Sequence, residues 1–577
     1  MTRPGWQQWV PGIAAARSLH RKQIPRDVLA GVAVTALLVP HGMAYAELAR
    51  LPAVTGLYTT VLALIAYAVF GPSRVLLLGP DSSLAPLIAA AIVLVGADGD
   101  PAQAVAVAGM LALLTGAACV IGGLVGLGTL AELLSKPVRI GYLNGLAVVI
   151  VVSQLPKLFG FPTDADTTVG EAREFVEGLG DDLANGTSLT IGLACLAVIF
   201  GVARLRPRAP GVLIAVAGAT LAVSAFDLTD RGVAVVGSIP GGIPGPTWPD
   251  IAFDDLPSLA AAAAGLAFLT LSDTSALSQS FGTRIGQRID PNQDIVGLGA
   301  ANLATGLFQG FPVSASTSRT TVAYTSGGRS QLVGLVGAAL VALLLLVGSG
   351  IVEDIPSAAL AAVVIAAGLQ LVDVATLRWL WEVRRTEFLL SLAATAGVIV
   401  AGVLEGIVIA VVLSIANFLR HAWRPHDAVL GRVERRKGYH DVLRNPEARQ
   451  VPGLLVYRFD APLFFANAEY FTRRLHAGIE MAPTDVDWVV VAAEPMTDID
   501  TTGAEHLSEL IDELAKAGVT LAFAELKGPG KDRMRRYGLY RRIGDDHFYP
   551  TVGAAITGYL EATGVEWVDW TDRPERA

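Results

Sequence analysis

The sequence predicts a mainly α-helical membrane protein with about fourteen transmembrane spans, followed by a small α/β domain. Composition is the first of three observations behind this prediction. The 577 residues are 53% hydrophobic and 16% charged, whereas soluble chains carry about 25% charged residues. The charge is also uneven, because 45 of the 95 charged residues follow His421. A long apolar part therefore precedes a tail of soluble character, which excludes an ordinary soluble enzyme.

Apolar runs long enough to cross a bilayer are the second observation, and they extend from about Val28 to Leu419. The third is that their connections alternate in charge, as the positive-inside rule requires. The basic connections lie near 74, 136–139, 204–208, 284–288, 329 and 378–385, and the acidic ones near 98–100, 157–187, 227–255 and 353–354. We expect a multi-pass protein of the plasma (inner) membrane with both termini in the cytoplasm.

The charge balance and the cysteines restrict the partners. A net charge of −9 provides no basic surface for nucleic acid. Cys119 and Cys195 lie in apolar stretches, so no disulfide framework is expected, and no cofactor or resident metal is expected either. We divide the chain into an N-terminal cytoplasmic segment (1–27), a transmembrane part (28–421), a linker (422–450), the α/β domain (451–563) and a C-terminal tail (564–577).

Two apolar segments are interrupted in a way that simple spanning helices are not. One contains Gly79 and Pro80, and the other begins at Gly310 and continues through Pro312 to Arg319. Each pattern predicts a short extended piece followed by a half-helix, because proline removes a backbone donor and suits the start of a helix. The two segments are third in their halves of the chain, which indicates an inverted-repeat transporter with a substrate site at the midplane. The alternative is a pair of ordinary Pro-kinked helices.

The starts of two such half-helices, meeting head to head, would form an anion site from unpaired N–H groups and positive dipole ends. Ser314, Ser316, Thr317 and Ser318 would add hydroxyl donors at the second start, and Arg319 a cation. An arginine at membrane depth usually marks a pathway. The structural alternative for Arg319 is an ion pair with Asp273 or Asp81.

Three further side chains fall inside apolar runs. Asp273 could carry a proton or coordinate a sodium ion, and either would couple transport to an ion gradient; alternatively it lines a water-filled vestibule. His41 and Tyr45 are four residues apart and share a helical face. They could donate to the substrate or pack against it, although in isolation a core role is favoured for both.

Strands alternating with helices after Trp423 predict one α/β domain. We expect strands at 454–459, 488–493 and 519–524, helices at 467–479 and 502–517, and two further helices. Thr502 and Glu505 fit a capping box with Thr502 as the N-cap.

Several runs together resemble the SulP family of anion transporters, the sulfate permeases. In the membrane part they start at Pro40, Gly56, Gly79 and Ile289, and include Ser318-Arg319-Thr320. In the tail, the runs from Arg458 and Asp500 resemble the family's STAS domain. The resemblance covers nearly the whole chain, in order.

The resemblance implies fourteen spans in two inverted repeats of seven, with a core domain that moves against a gate domain in an elevator-like mechanism. It puts the anion between Gly79-Pro80-Asp81 and Ser316 to Arg319. His41 and Tyr45 fall where relatives have Gln and an aromatic residue. Asp273 falls where bacterial relatives have a proton-coupling Glu and sodium-coupled relatives an Asp. Thr317 fits a sodium site, but Leu277 stands where a Thr is expected, so proton coupling is favoured.

The expected function is therefore secondary active transport of an inorganic anion, most of all sulfate, coupled to protons. The alternatives are a sodium- or proton-coupled bicarbonate or dicarboxylate transporter, a nucleobase permease, which Arg319 disfavours, and a membrane-anchored STAS signalling scaffold. We expect no enzymatic activity. The expected partners are the anion, a coupling proton or sodium ion, membrane lipid and a second copy in a homodimer. By the same resemblance, Thr501 or Thr502 corresponds to a phosphorylatable hydroxyl.

Overall fold

The computed structural model describes residues 10–17, 21–126, 135–163, 165, 167–206 and 209–568. The chain divides into two compact units, 1–414 and 415–577. Parts of the expected terminal segments 1–27 and 564–577 therefore lie outside the described residues.

The first unit consists of helices and two very short strands. Within the described residues, eight helical stretches are long and apolar enough to cross a membrane, and three shorter helices are apolar as well. The elements up to the start of the second unit are α1 Pro11–Arg17, α2 Ile24–Leu48, α3 Ala53–Phe70, β1 Leu78–Gly79, α4 Ala85–Leu94, α5 Pro101–Val125, α6 Lys136–Phe159, α7 Thr168–Gly180, α8 Gly186–Leu205, α9 Gly211–Phe226, α10 Leu256–Arg284, α11 Pro291–Leu307, β2 Ser314–Ala315, α12 Thr317–Thr325, α13 Leu332–Val347, α14 Ser349–Val352, α15 Ser357–Gln370, α16 Val374–Val383, α17 Arg385–Ala401 and α18 Val403–Trp423.

The principal segments form two sets of seven in the same order. The first set is α2, α3, β1 with α4, α5, α6, α8 and α9; the second is α10, α11, β2 with α12, α13, α15, α17 and α18. Because seven is odd, the second set crosses the membrane in the opposite sense. Packing follows the repeat: α5 packs on α11 as α13 packs on α3, and α5 packs on α10 as α13 packs on α2. Fourteen spans in two inverted repeats are therefore confirmed.

The same helices pack in two groups. The core group comprises α2–α5 and α10–α13, and the gate group comprises α6, α8, α9, α15 and α17; most helix pairs lie within one group. The groups meet where α15 and α9 pack on α2 and where α4 packs on α6.

Helix starts in the core group follow a common rule. Asp100 caps α5 by accepting hydrogen bonds from the N–H groups of Ala102 (2.9 Å) and Gln103 (3.4 Å). Asp290 caps α11 in the same way, and in both helices a proline follows the cap. Proline at the first helical position has no N–H to leave unsatisfied, so Asp-Pro defines both starts sharply.

The second unit contains a six-stranded sheet in the order β4-β3-β5-β6-β7-β8, in which β5 to β8 are parallel and β3 is antiparallel to both of its neighbours. Its elements are β3 Asp427–Arg432, β4 Tyr439–Asp441, β5 Leu454–Phe459, α19 Ala468–Glu480, β6 Trp488–Ala492, α20 Thr501–Lys516, β7 Thr520–Ala524, α21 Gly528–Arg536, α22 Leu539–Ile543, β8 Phe548–Tyr549 and α23 Val552–Thr563.

Successive side chains of β5 point to opposite faces of this sheet. Leu455, Tyr457 and Phe459 pack with α19 and α20 in one core, whereas Leu454 and Val456 pack with α23 in the other. The strand predicted at 454–459 is confirmed. Three helices follow β7 where two were expected, and β3 and β4 lie within 422–450, the segment expected to be a linker.

Candidate functional site

Strands β1 and β2 join the two interrupted segments. They pair antiparallel, with Leu78 opposite Ala315 and Gly79 opposite Ser314. Two more hydrogen bonds extend the pairing: the N–H of Ser316 donates to the carbonyl of Leu77 (3.4 Å), and the N–H of Leu77 donates to Oγ1 of Thr320 (3.3 Å). The predicted extended pieces and half-helices are confirmed, and the pairing brings the starts of α4 and α12 close together.

The start of α12 presents free hydrogen-bond donors. Its N-cap is Ser316, whose side chain makes no capping bond; instead its Oγ lies 3.0 Å from Oγ of Ser318. The first N–H groups of a helix have no partner within the helix, and the dipole makes this end positive. Thr317 and Ser318 are exposed, so this end can accept an anion.

The start of α4 is different, because it already holds a carboxylate. Oδ1 of Asp81 accepts hydrogen bonds from the backbone N–H (3.0 Å) and the hydroxyl (2.7 Å) of Ser83. The negative charge of Asp81 therefore offsets the positive end of α4. The two half-helix starts are unequal, and α12 is the better anion-binding end.

Arg319 lies between the two starts and is 1% exposed. Its Nη1 donates to the carbonyl oxygen of Pro80 at 2.5 Å. The guanidinium packs against the backbone of Gly79, since a Cβ added there would lie 3.5 Å from Cζ. Nε and Nη2 have no hydrogen-bond partner among the residues that the structure describes. A buried cation with two unused donors is a strong attractor for an oxyanion.

The ion pair considered for Arg319 is not formed. Asp81 interacts with it electrostatically, but among the described residues neither Asp81 nor Asp273 lies within ion-pair distance of the guanidinium. The reason is local geometry: the carboxylate of Asp81 turns to Ser83, and the guanidinium turns to Pro80.

His41 and Tyr45 lie on the same face of α2, which continues through Pro40. Both side chains are buried, and their ring centroids are 5.4 Å apart. Nδ1 of His41 lies 2.8 Å from the carbonyl oxygen of Leu37. His41 interacts electrostatically with Arg319, and Tyr45 with both Asp81 and Arg319. The structure thus brings His41 and Tyr45 to the site where Asp81 and Arg319 lie.

Asp273 is half-buried in α10, and its electrostatic neighbours are Asp81 and Arg139. Tyr142, whose buried hydroxyl has no hydrogen-bond partner within the described part of the chain, also interacts with it. Arg139 and Tyr142 belong to α6 of the gate group. The cation near Asp273 is therefore Arg139 rather than Arg319, and Asp273 faces the boundary between the two groups.

Sequence reasoning did not single out Tyr142 as part of this site. The available signal was its spacing from Arg139, since residues three apart share a helical face, but Arg139 was assigned to a basic connection. Ser82, which interacts with Tyr45, was likewise not singled out, because it was considered only as part of the run that starts at Gly79.

Thr501 and Thr502 lie at the start of α20 in the second unit. The predicted capping by Thr502 is wrong, because Asp500 is the N-cap: its Oδ1 accepts from the N–H of Gly503 (2.7 Å) and its Oδ2 from that of Phe465 (2.9 Å). A carboxylate suits this positive helix end, and it starts the helix at Thr501. Thr501 is exposed, and its phosphorylation stays a prediction.

The chain matches two protein-family models. Residues 24–394 match the family model described as the sulfate permease family, and residues 445–555 match the STAS domain. A protein of Mycobacterium tuberculosis (strain CDC 1551) named a probable sulfate transporter is 40% identical over 559 residues, which is 97% of this chain and 99% of that protein.

Two solved structures share the fold. The murine solute carrier 26 family member A9 anion transporter, in its inward-facing state, superposes with a TM-score of 0.89 at 21% identity, over 98% of this chain and 96% of that chain. The transmembrane domain of a cyanobacterial bicarbonate transporter, BicA, has a TM-score of 0.59 at 22% identity, over 69% of this chain and 98% of that chain.

Proposed function

Since the chain belongs to the sulfate permease family, we propose that it is a secondary active transporter of inorganic anions with sulfate as its main substrate. The observation that carries this proposal is Arg319, a buried cation with two unpartnered donors beside the free N–H groups of α12. A site of this kind binds a compact oxyanion through charge-assisted hydrogen bonds. The relative from Mycobacterium tuberculosis that is named a probable sulfate transporter supports this choice of anion.

The mechanism we infer is an elevator movement of the core group against the gate group. His41, Tyr45, Asp81, Asp273 and Arg319 all belong to the core group or to its connections. Movement of that group would therefore carry the anion without taking its ligands apart. A cavity of about 860 Å³, whose lining includes Glu47 on α2 and Lys157 on α6, supports this inference, since it lies at the boundary between the groups.

We propose that Asp273 couples transport to protons. It lies in α10 of the core group, and Arg139 and Tyr142 of the gate group interact with it electrostatically. Protonation of Asp273 would remove its attraction to Arg139, which would free the core group to move. A sodium ion at Asp273 and Thr317 is the alternative, and it would need further oxygen ligands because sodium favours several.

Transport into proteoliposomes tests the proposal. We expect purified protein to accumulate labelled sulfate when the outside is more acidic than the inside, with no requirement for sodium. Competition with unlabelled sulfate should exceed competition with chloride. Uptake that requires sodium at equal pH would contradict proton coupling, and uptake that sulfate does not compete for would contradict the substrate.

Bicarbonate is the second candidate substrate, and one observation favours it. Nδ1 of His41 donates to a backbone carbonyl, so the neutral ring offers Nε2 as an acceptor, and the O–H of bicarbonate can donate to it. In either case we propose a homodimer in the plasma (inner) membrane with both termini in the cytoplasm. Size-exclusion chromatography with light scattering in detergent tests the dimer.

A further inference from the structure

The tautomer of His41 is fixed by its hydrogen bond. Nδ1 lies 2.8 Å from the carbonyl oxygen of Leu37, four residues earlier in α2. A carbonyl oxygen only accepts hydrogen bonds, so Nδ1 carries a hydrogen whether the ring is neutral or charged. Nε2 is then the one ring atom that can gain or lose a proton.

At the anion site, His41 keeps Nε2 free of hydrogen bonds to the residues that the structure describes. The side chain is 7% exposed. The ring lies beside Tyr45 and interacts electrostatically with Arg319. A neutral ring would therefore direct a lone pair at whatever anion Arg319 holds.

Sulfate and a neutral His41 do not fit each other. Sulfate carries two negative charges and no hydrogen, so its oxygens would meet the lone pair of Nε2 without a proton between them. Arg319 balances one of the two charges, and Asp81 adds a negative charge to the same site. A proton on Nε2 converts the repulsive contact into a charge-assisted hydrogen bond and balances the second charge.

The surrounding elements contain few other groups that could take this proton. Arg319 of α12 interacts with His41, and Tyr45 lies beside it on α2 itself. Asp81, in the turn before α4, interacts with Tyr45 and with Asp273 of α10. Helices α9, α13 and α15, which also pack on α2, contain no titratable residue. Helix α3 contributes only Tyr58 and Tyr67, and α2 itself also carries Glu47 near its end. Helix α6 contributes Lys136, Arg139 and Tyr142 near its start and Lys157 near its end.

We propose that His41 is a second proton-binding residue of the transport site: Nε2 takes a proton from water when sulfate binds and returns it when sulfate leaves. This rests on the proposed function. Binding of the proton and binding of the anion then favour each other, as linkage requires. A monovalent anion with its own hydrogen, such as bicarbonate, donates to the neutral Nε2 and takes up no proton there.

The test is the number of protons taken up with sulfate. Titration calorimetry in two buffers of different ionisation enthalpy gives this number for the purified full chain. We expect His41→Gln to bind sulfate with about one proton fewer than the wild type. We also expect the wild-type Kd for sulfate to rise with pH between about pH 6 and 8, by up to tenfold per pH unit, the limit for one proton.

His421→Gln is the matched control. Nδ1 of His421 makes the same bond to a carbonyl four residues earlier (Asn417, 2.7 Å), but the ring is exposed at the end of α18. This variant should keep the wild-type proton uptake. Proton uptake on binding bicarbonate, measured in the wild type, supplies a second comparison that needs no variant, and it should be lower than with sulfate.

Four outcomes separate the inference from the function on which it rests. Sulfate binding by the wild type without proton uptake would overturn the role of His41 alone, and so would equal uptake by wild type and His41→Gln. If His41→Gln does not fold, equal wild-type uptake with sulfate and bicarbonate overturns it. A folded wild type that binds no sulfate would overturn the proposed function, and the role of His41 with it.

Discussion

Nη1 of Arg319 donates to the carbonyl oxygen of Pro80 at 2.5 Å, although the two residues are 239 positions apart in the chain. This bond ties the second half-helix to the turn that follows the first strand. It also fixes the guanidinium so that Nε and Nη2 remain unused. One side chain therefore joins the repeats, and in the function that we propose it also attracts the anion.

The first prediction concerns these two donors. Arg319→Ala should weaken sulfate binding by roughly 10- to 100-fold, because a hydrogen bond to a charged group contributes about 1.5–3 kcal/mol. Calorimetric titration of the purified variant measures this. Arg204→Ala, which removes an exposed arginine at the end of α8, should bind as the wild type does. Wild-type affinity in a folded Arg319→Ala protein would show that the guanidinium does not contact the anion.

The second prediction concerns Asp273 as the coupling carboxylate. Asp273→Asn keeps the shape of the side chain and removes its ionisation, so sulfate binding should remain while uptake driven by a pH gradient is lost. Exchange of internal for external sulfate should continue at a reduced rate. Asp254→Asn, an exposed change before the same helix, is the control. Gradient-driven accumulation by Asp273→Asn would assign coupling to another residue.

Local chemistry made the half-helices predictable from the sequence. Gly79-Pro80 and Pro312 interrupt apolar runs, although the half-helices begin five residues after each proline, at Ala85 and Thr317. Similarly, the apolar pattern at 454–459 predicted a buried strand, and β5 has those bounds. Where one residue type decides the conformation, sequence reasoning was sufficient.

The features that the sequence did not predict depend on contacts between distant residues, or on competition between two residues that both suit the same role. The bond from Arg319 to Pro80 and the approach of Arg139 to Asp273 exist only after the repeats pack. At α20, Asp500 and Thr502 are both good caps, and the additional bond from Phe465 to Asp500 accompanies the earlier start. Strands β3 and β4 were missed for different reasons. β4 is a short, half-buried edge strand, whereas β3 lies between β4 and β5 but has an apolar pattern limited to Ala428–Leu430.

The third prediction is that the membrane part binds sulfate without the second unit. Every candidate ligand lies before Thr320, so a chain that ends at residue 424 should keep the wild-type affinity. The cut belongs after α18, because an end near 440 would divide β4 from the sheet that it joins. A thermal-shift titration with sulfate measures binding. A stable truncated protein without a sulfate-induced shift would mean that the tail helps to form the site.

The fourth prediction concerns the contact of α2 with α3. A Cβ at Gly56 would collide with the carbonyl oxygen of Gly42, so Gly56→Ala must push the two helices apart. We expect a loss of about 1–3 kcal/mol, as for other overpacked sites, seen as a lower melting temperature. In Gly218→Ala, a Cβ meets nothing within 4 Å, so that control should melt at or slightly above the wild-type temperature. Equal melting of both variants would contradict this close contact.

The last prediction concerns a buried hydroxyl in the second unit. The phenol of Tyr457 donates to Oδ2 of Asp427 (3.3 Å), which also accepts from Nε of Arg474 (2.9 Å). Burial and the neighbouring Asp427 raise the pKa of Tyr457 above its ordinary value. The folded state therefore holds the phenolic proton more tightly than the unfolded state does. This stabilisation is complete below about pH 10, the ordinary tyrosine pKa, and is lost as pH rises above it.

Tyr457→Phe removes the titrating group. In the separate unit, residues 424–577, it should lower the free energy of unfolding at pH 7 by about 1 kcal/mol, the usual contribution of one hydrogen bond. Above pH 10 it should reduce the alkaline loss of stability, which for one group is at most about 1.4 kcal/mol per pH unit. Urea unfolding at several pH values measures both effects. Tyr537, which donates to the carbonyl oxygen of Ile499 (3.4 Å) rather than to a carboxylate, supplies the control Tyr537→Phe, which should keep the wild-type alkaline slope. If Tyr457→Phe keeps that slope as well, the alkaline loss of stability comes from another group.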